Sequence, residues 1–327
     1  MRLRSALAIA STLSLFLPAS TLAQGGADAF AAKPVVVIAP YEPGGPIDIE
    51  ARMYTKKAFE LTGQQYIIEY KTGASTRIGV GYVAKAAPDG HTLLLTNTSI
   101  TIFPVLYKNL PFDPIKDLIP LSQMSKKTNV FLAHPAFPPR TFRDYIDYAR
   151  ANPGKVNYGM LGAGSSSHLA GAWLESLTNT KVNYIPYKGT APEIVDLTAG
   201  RIDVTTSALI AVLPMIRTGK IRALAIVTDT RSGVLPDVPL ASEMGVPEFV
   251  DSNWSGFFAP RGTPAPIISR LNELFTRVAR SPDVISAADA LGNIMVGSTP
   301  AQFAKLVIDD TVRWQKLVKD RGIVLEE

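Results

Sequence analysis

The sequence predicts an α/β fold in which mainly parallel β-sheets are flanked by helices. Three observations carry this. Short apolar runs alternate with helix-length amphipathic stretches from residue 34 onward. The first run, Pro34-Val35-Val36-Val37-Ile38-Ala39, shows no polar alternation, as a strand covered on both faces requires. The segments that follow strands are rich in Gly, Pro and hydroxyl residues, the composition of strand-to-helix loops.

The elements follow in order. The first strand ends at Pro43-Gly44-Gly45-Pro46, and a helix capped by Asp48 runs to about Leu61, closed by Gly63. Gln65 to Tyr70 is a second strand, Thr72 to Ser75 a loop, and Arg77 to Ala86 a helix. Pro88-Asp89-Gly90 turns the chain into a third strand at His91 to Leu95. This β-α-β-α-β opening implies right-handed crossovers. A proline-spaced stretch follows (Pro111, Pro114, Pro120), leading to a strand at Asn129 to Ala133. A second α/β set has helices at Thr141 to Ala151, from Ser167 to about Leu177, Thr190 to Thr198 and Leu209 to Arg217. Its strands are Val156 to Met160, Val182 to Tyr187, Val204 to Thr206 and Ile221 to Val227. A crossover near Asn253 to Phe257 precedes three helices. Ile267, Ile268, Leu271, Leu274, Phe275 and Val278 make one helical stripe; Phe303, Leu306, Val307, Trp314, Leu317 and Val318 make another. With no strand expected after them, these helices should fold back onto the first domain.

The first 23 residues read as an address rather than as structure. Arg2 and Arg4 form a basic start, Ser5 to Leu17 an apolar core, and Thr21-Leu22-Ala23 offers small residues before a cut near Ala23-Gln24. The apolar core is 13 residues long, short of the roughly 20 that span a bilayer. The expected product is a periplasmic protein. Loss of the two arginines lowers the formal charge from +5 to +3, too mild to suggest a nucleic-acid partner. The 327 residues contain no Cys, which excludes disulfides, zinc–thiolate sites and thiol nucleophiles. His91, His134 and His168 lie far apart, so no metal site and no cofactor is expected.

Three loops carry the chemistry: Pro43-Gly44-Gly45, Thr72 to Arg77, and Gly162 to Ser167. In parallel α/β sheets ligands sit beyond the carboxyl ends of the strands. Helix N-termini with glycine and hydroxyl residues suit an anion there. Arg77 is the full cation of these loops and can grip a carboxylate bidentately; an exposed surface arginine is the equal reading. Asp48 reads better as a helix cap than as a ligand contact, and Tyr41 and Trp254 as core or pocket wall. A dinucleotide loop is rejected, because Ser167 replaces the third glycine and Tyr187-Lys188 stand where an acid is needed. A serine hydrolase using Ser166 or Ser167 with His168 is the rival reading. It lacks G-x-S-x-G, since His168 occupies the last position.

Several stretches, in order along nearly the whole chain, resemble the Bug-type periplasmic receptors, the substrate-binding proteins of tripartite tricarboxylate transporters. They include Pro43-Gly44-Gly45-Pro46-Ile47-Asp48, Ala84-Lys85-Ala86-Ala87-Pro88-Asp89-Gly90-His91-Thr92-Leu93-Leu94 and Leu110-Pro111-Phe112-Asp113-Pro114. Ala151-Asn152-Pro153-Gly154-Lys155-Val156-Asn157-Tyr158, Ser167-His168-Leu169-Ala170-Gly171, Pro186-Tyr187-Lys188-Gly189-Thr190-Ala191-Pro192 and Leu235-Pro236-Asp237-Val238-Pro239 complete the set.

The resemblance implies a two-lobed periplasmic binding protein of type II, with the ligand in the cleft between lobes and closure by hinge motion. Lobe 1 would comprise residues 24–129 and 256–327, and lobe 2 residues 130–255. The ligand would be a small carboxylate: a di- or tricarboxylate, an acidic amino acid or an aromatic acid such as terephthalate. The partners would be the membrane subunits of a tripartite transporter, with the receptor itself a monomer and not an enzyme. A receptor feeding a sensor kinase is the other non-catalytic reading. Carried over by position, lobe 1 would offer Tyr41, Gly44, Gly45, Ile47 and Asp48, then Ser75, Thr76 and Arg77, then Asn97 and Thr98. Lobe 2 would offer Gly164, Ser165, Ser166, Ser167 and His168, then Tyr187 and Gly189, then Thr206 and Ser207. This chain departs from the family where Ile47 replaces a frequent Thr, Ser207 a frequent acid, and Ala172 a frequent Glu. The changes remove negative charge and point to an anionic ligand.

Overall fold

A computed structural model describes residue 30 and residues 33–323, except 108 and 252. The expected export signal, residues 1–23, lies outside the described residues.

The strands sort into two sheets. The first holds β1 (Val35–Ala39), β2 (Tyr66–Tyr70), β3 (Thr92–Asn97), β4 (Leu118–Lys127), β10 (Asn253–Pro260) and β11 (Asn293–Met295), in the order β11-β4-β10-β3-β1-β2. The second holds β5 (Asn129–Ala133), β6 (Asn157–Met160), β7 (Asn183–Pro186), β8 (Val204–Ala208) and β9 (Arg222–Ile226), in the order β7-β6-β8-β5-β9. The strands of each β-α-β-α-β run pair in parallel: β1 with β2 and β3, and β6 with β7 and β8. Each sheet as a whole is mixed, because the strands that carry the chain between sheets enter antiparallel. β10 runs antiparallel to β3 and β4, and β5 to β8 and β9.

Thr128 alone separates β4 from β5, so the chain changes sheet across one residue. It returns between β9 and β10. Asn253 already pairs with Lys127, and Ser255 with Asn97, so the return falls ahead of the expected residue 256. The stretch read as a crossover near Asn253 to Phe257 is therefore a strand of the first sheet. The proline-spaced stretch also hides a strand, the ten-residue β4. Its Pro120 lies opposite Phe258, where the register slips, and a bulge is where a proline's missing N–H is tolerated.

The helices are α1 (Pro46–Thr62), α2 (Arg77–Ala84), α3 (Ser99–Leu106), α4 (Phe142–Ala151), α5 (Ser166–Thr178), α6 (Thr190–Thr198), α7 (Leu209–Arg217), α8 (Ala265–Ala279), α9 (Pro282–Asp289) and α10 (Pro300–Arg321). Local signals explain several of their ends. Pro46 opens α1, and Gly63 closes it in the left-handed region at φ 70°. Thr141 and Asp144 form a capping box on α4, as Thr299 and Gln302 do on α10. Ser165 Oγ accepts the His168 N–H at the start of α5.

Apolar faces then assemble the lobes. Ile38, Val80, Leu94, Phe103, Trp254, Phe258 and Phe303 pack on the first sheet. On one face of the second lie Phe131, Phe142, Tyr158, Leu169, Trp173 and Phe249, and on the other Val130, Leu132, Ile194, Leu197, Leu209 and Val212. The C-terminal helices fold back as expected: α8 packs on β4 and α1, and α10 on α3 and β4. β11 lies between α9 and α10, a short strand the sequence reading did not anticipate. Trp314 of α10 also reaches the second lobe, edge-on to Trp173 with centroids 6.1 Å apart.

Candidate functional site: the cleft between the lobes

Loops of the two lobes meet at the carboxyl ends of the parallel strands. Ser75 Oγ donates to Ala163 O at 2.6 Å, and Tyr107 Oη donates to the same carbonyl at 2.8 Å. Ser166 N–H donates to Ser99 Oγ at 3.3 Å. Glycine is what permits this approach. A Cβ on Gly164, at φ +76°, would lie 2.3 Å from Tyr107 Oη, and one on Gly162, at φ +86°, 2.7 Å from Ser75 Oγ. The lobes are closed on each other.

Behind these contacts lies a pocket with about 510 Å³ of atom-free space, part of it open to solvent. The first lobe contributes Tyr41, Pro46, Ile47, Asn97, Lys127 and Asn253; the second contributes Asn129, Leu161, Ser166, Ser167, Thr190, Thr206, Ser207, Ala208 and Asp251. The first turn or N-cap of four helices touches it: α1 at Pro46 and Ile47, α5 at Ser166 and Ser167, α6 at Thr190, and α7 at its N-cap Ala208. Each N-terminus carries roughly half a positive charge. Lys127 is the cation among the lining residues.

The polar side chains are pre-oriented. Asn97 Oδ1 accepts from Tyr41 Oη at 2.8 Å and from Ser99 N–H at 3.0 Å, which turns its amide NH2 to the other side. Burial pushes the Tyr41 phenol up to about 12, so it is a neutral donor. Thr206 Oγ1 accepts from Tyr158 Oη at 2.8 Å. Lys127 Nζ pairs with Glu50 Oε2 at 2.8 Å. Asn129 Nδ2 donates to Asp251 Oδ2 at 2.6 Å, and burial raises the Asp251 carboxyl to about 6.

Of the residues singled out from sequence, Tyr41, Ile47, Asn97, Ser166, Ser167, Thr206 and Ser207 line the pocket. The others stand around it. Gly44, Gly164 and Gly189 sit where loops of the two lobes meet. Gly45 is the N-cap of α1, so Asp48 does not cap that helix by its side chain. Asp48 instead accepts the Gly44 N–H at 2.8 Å and pairs with Arg52 and Tyr70. Thr76 is buried, and Thr98 Oγ1 donates to Asn253 Oδ1 at 3.2 Å. Tyr187 Oη donates to Asp196. Arg77 does not reach the pocket: its Nε donates to Ala74 O, and its guanidinium lies 3.7 Å over the Tyr107 ring.

Ser165 Oγ and Ser167 Oγ bond each other at 3.2 Å. His168 Nδ1 accepts the Gly164 N–H at 3.1 Å, its ring stands edge-on to Tyr184, and burial pulls its imidazole down to about 4. It serves as a neutral wedge under the loop, not as a base for the serines.

Lys127, Asn129, Asp251 and Asn253 escaped the sequence reading. The signal available was polarity at the sheet crossing: Lys126-Lys127-Thr128-Asn129 interrupts two apolar strands, and Asp251 to Asn253 stand at the return. Among the described residues no group of three His, Asp or Glu side chains could hold a metal ion.

Two α/β lobes joined at β4–β5 and β9–β10, closed on a polar pocket fed by helix N-termini, define a periplasmic solute-binding protein. Residues 50–323 match the family described as "Tripartite tricarboxylate transporter family receptor", and the chain belongs to it. Its structure is similar to that of MatC from Rhodopseudomonas palustris with bound malate, at 32% identity and TM-score 0.84, covering 88% of this chain and 99% of that one. It is likewise similar to Rpa4515 of R. palustris with adipate, at 31% identity and TM-score 0.86, covering 90% and 98%. The periplasmic binding protein BugD matches at 30% identity and TM-score 0.86, covering 89% and 98%. The family and these neighbours bind substrates and do not transform them, so the protein is a Bug-type receptor and not an enzyme.

Proposed function

We propose that the receptor captures a small dicarboxylate in the cleft and delivers it to the membrane subunits of a tripartite transporter. The carrying observation is the convergence of four helix N-termini and Lys127 on one pocket rich in hydroxyl and amide groups. Such an array stabilises anionic oxygens. Malate in MatC and adipate in Rpa4515 support the size and chemistry. Burying the ligand between lobes couples its affinity to closure. On this reading residues 1–23 are a cleaved export signal, and intact-mass analysis of periplasmic material checks the cut near Ala23-Gln24.

The test is a thermal-shift screen of the purified protein against aliphatic diacids, citrate, acidic amino acids and terephthalate. Ligand at about 100 times its dissociation constant adds about 2.7 kcal/mol, which moves the midpoint by several degrees. A shift with a short diacid is the expected outcome; no shift with any acid removes the reading. Delivery is checked separately by uptake of that acid in cells carrying and lacking the receptor.

A further inference from the structure

One end of the pocket holds groups for which a plain diacid has no use. Lys127, Asn129 and Asp251 line it and are 3%, 3% and 2% exposed. Among the described residues Lys127 Nζ has its ion pair with Glu50 and no other hydrogen-bond partner. Asn129 Nδ2 donates to Asp251, which fixes the amide orientation and leaves Asn129 Oδ1 buried without a donor. The Asp251 carboxylate forms no ion pair among the described residues. Arg313 and Asp310 act on it through space with opposite signs.

This end therefore presents one cation beside two groups that want a donor. A straight-chain dianion supplies acceptors only. Its carboxylates suit Lys127 and the helix N-termini, yet it leaves Asn129 Oδ1 unpartnered and sets like charge near Asp251. A hydroxyl or ammonium next to one carboxylate answers both. A site built to hydrogen-bond a substrate's O–H or N–H discriminates strongly against the analogue lacking it.

We propose that Asn129 and Asp251 form a donor-reading subsite, so that the ligand is a dicarboxylate bearing a hydroxyl or ammonium on the carbon beside a carboxylate. The inference rests on the dicarboxylate reading above and narrows its ligand class. Asn129 Oδ1 takes the ligand's donor, Asp251 holds the amide in place and adds the second acceptor, and Lys127 faces the adjoining carboxylate.

Isothermal titration of the purified protein with succinate, malate and aspartate tests it. Malate or aspartate should bind at least about tenfold tighter than succinate, and which of the two binds tighter names the donor. Asp251→Asn should reduce that preference to within about threefold, in part by tightening succinate, whose carboxylate no longer meets a like charge. Circular dichroism and thermal unfolding of the variant accompany the titration; if the variant does not fold, the wild-type ratio alone decides. Succinate binding within about twofold of both donor-bearing acids overturns the subsite, as does an unchanged preference in folded Asp251→Asn. Equal binding of all three acids leaves the dicarboxylate reading standing, whereas binding of none removes that reading and the subsite with it.

Discussion

Lys127 and Glu50 form an ion pair of 2.8 Å at the floor of the cleft, with 1% and 0% of their side chains exposed. Glu50 belongs to α1 and Lys127 ends β4, so the pair ties a helix to the strand at the sheet crossing. Glu50 Oε1 also accepts from Ser125 Oγ at 2.5 Å, Asn293 Nδ2 at 3.0 Å and Tyr54 Oη at 3.2 Å. The carboxylate is thus held by four side chains and the ammonium by one.

That asymmetry sets the first prediction. Glu50→Gln leaves Lys127 buried without a counter-charge and should destabilise the fold by about 3–5 kcal/mol. Glu50→Gln/Lys127→Met should cost less than the sum of the two single changes. Urea unfolding of the three variants measures this. A Glu50→Gln protein within about 1 kcal/mol of wild type would mean that water reaches the pair.

The Ser75–Ala163 bond belongs to the closed form, because its partners lie on different lobes. Ser75→Ala should weaken ligand binding by about 0.5–1.5 kcal/mol, at most about tenfold, with little change in unfolding midpoint. Titration calorimetry beside thermal unfolding separates the two. Equal loss of stability and affinity would assign the hydroxyl to its own loop rather than to closure.

Arg77 lies over Tyr107 and outside the pocket. Arg77→Ala should leave dicarboxylate affinity within about fivefold, the loss reflecting a cation–π contact of about 0.5–1 kcal/mol. A fall of a hundredfold would return Arg77 to the ligand.

Glu193 is buried, and burial raises its carboxyl to about 8. Thr205 Oγ1 lies 3.0 Å from Gly159 O and 2.7 Å from Glu193 Oε1. The carbonyl can only accept, and the hydroxyl has one proton to give. A protonated Glu193 donating to Thr205 completes the chain. The folded state then keeps a proton that the unfolded state releases above its ordinary carboxyl value. This group's contribution is full below that value and falls by about 1.4 kcal/mol per pH unit as pH rises toward 8. Unfolding free energy measured at pH 5, 6, 7 and 8 should decline less in Glu193→Gln than in wild type. Parallel profiles would place the ionised form in the native state.

Much of the fold was legible because its signals are local. The apolar run of β1, the Thr141 cap and the Gly63 stop act within a few residues. α6 and α7 match their expected limits, Thr190–Thr198 and Leu209–Arg217. β4 and α3 were not legible, because Pro120 and the β-branched Ile100, Thr101 and Ile102 argue against their own elements until packing overrides them. The site divides the same way. Loops with Gly and Ser announced themselves, yet several of those glycines serve lobe contact. Lys127, Asn129 and Asp251 sit on strand ends and a linker, where polarity is the available sign and does not distinguish a pocket wall from a surface turn.

Thr128 joins the two walls of the pocket. Lys127 and Asn129 flank it on different sheets, so a lysine of one lobe and an amide of the other are held two residues apart along the chain. The two walls are therefore continuous at this point, and a covalent link rather than a loop contact sets how far apart they stand there.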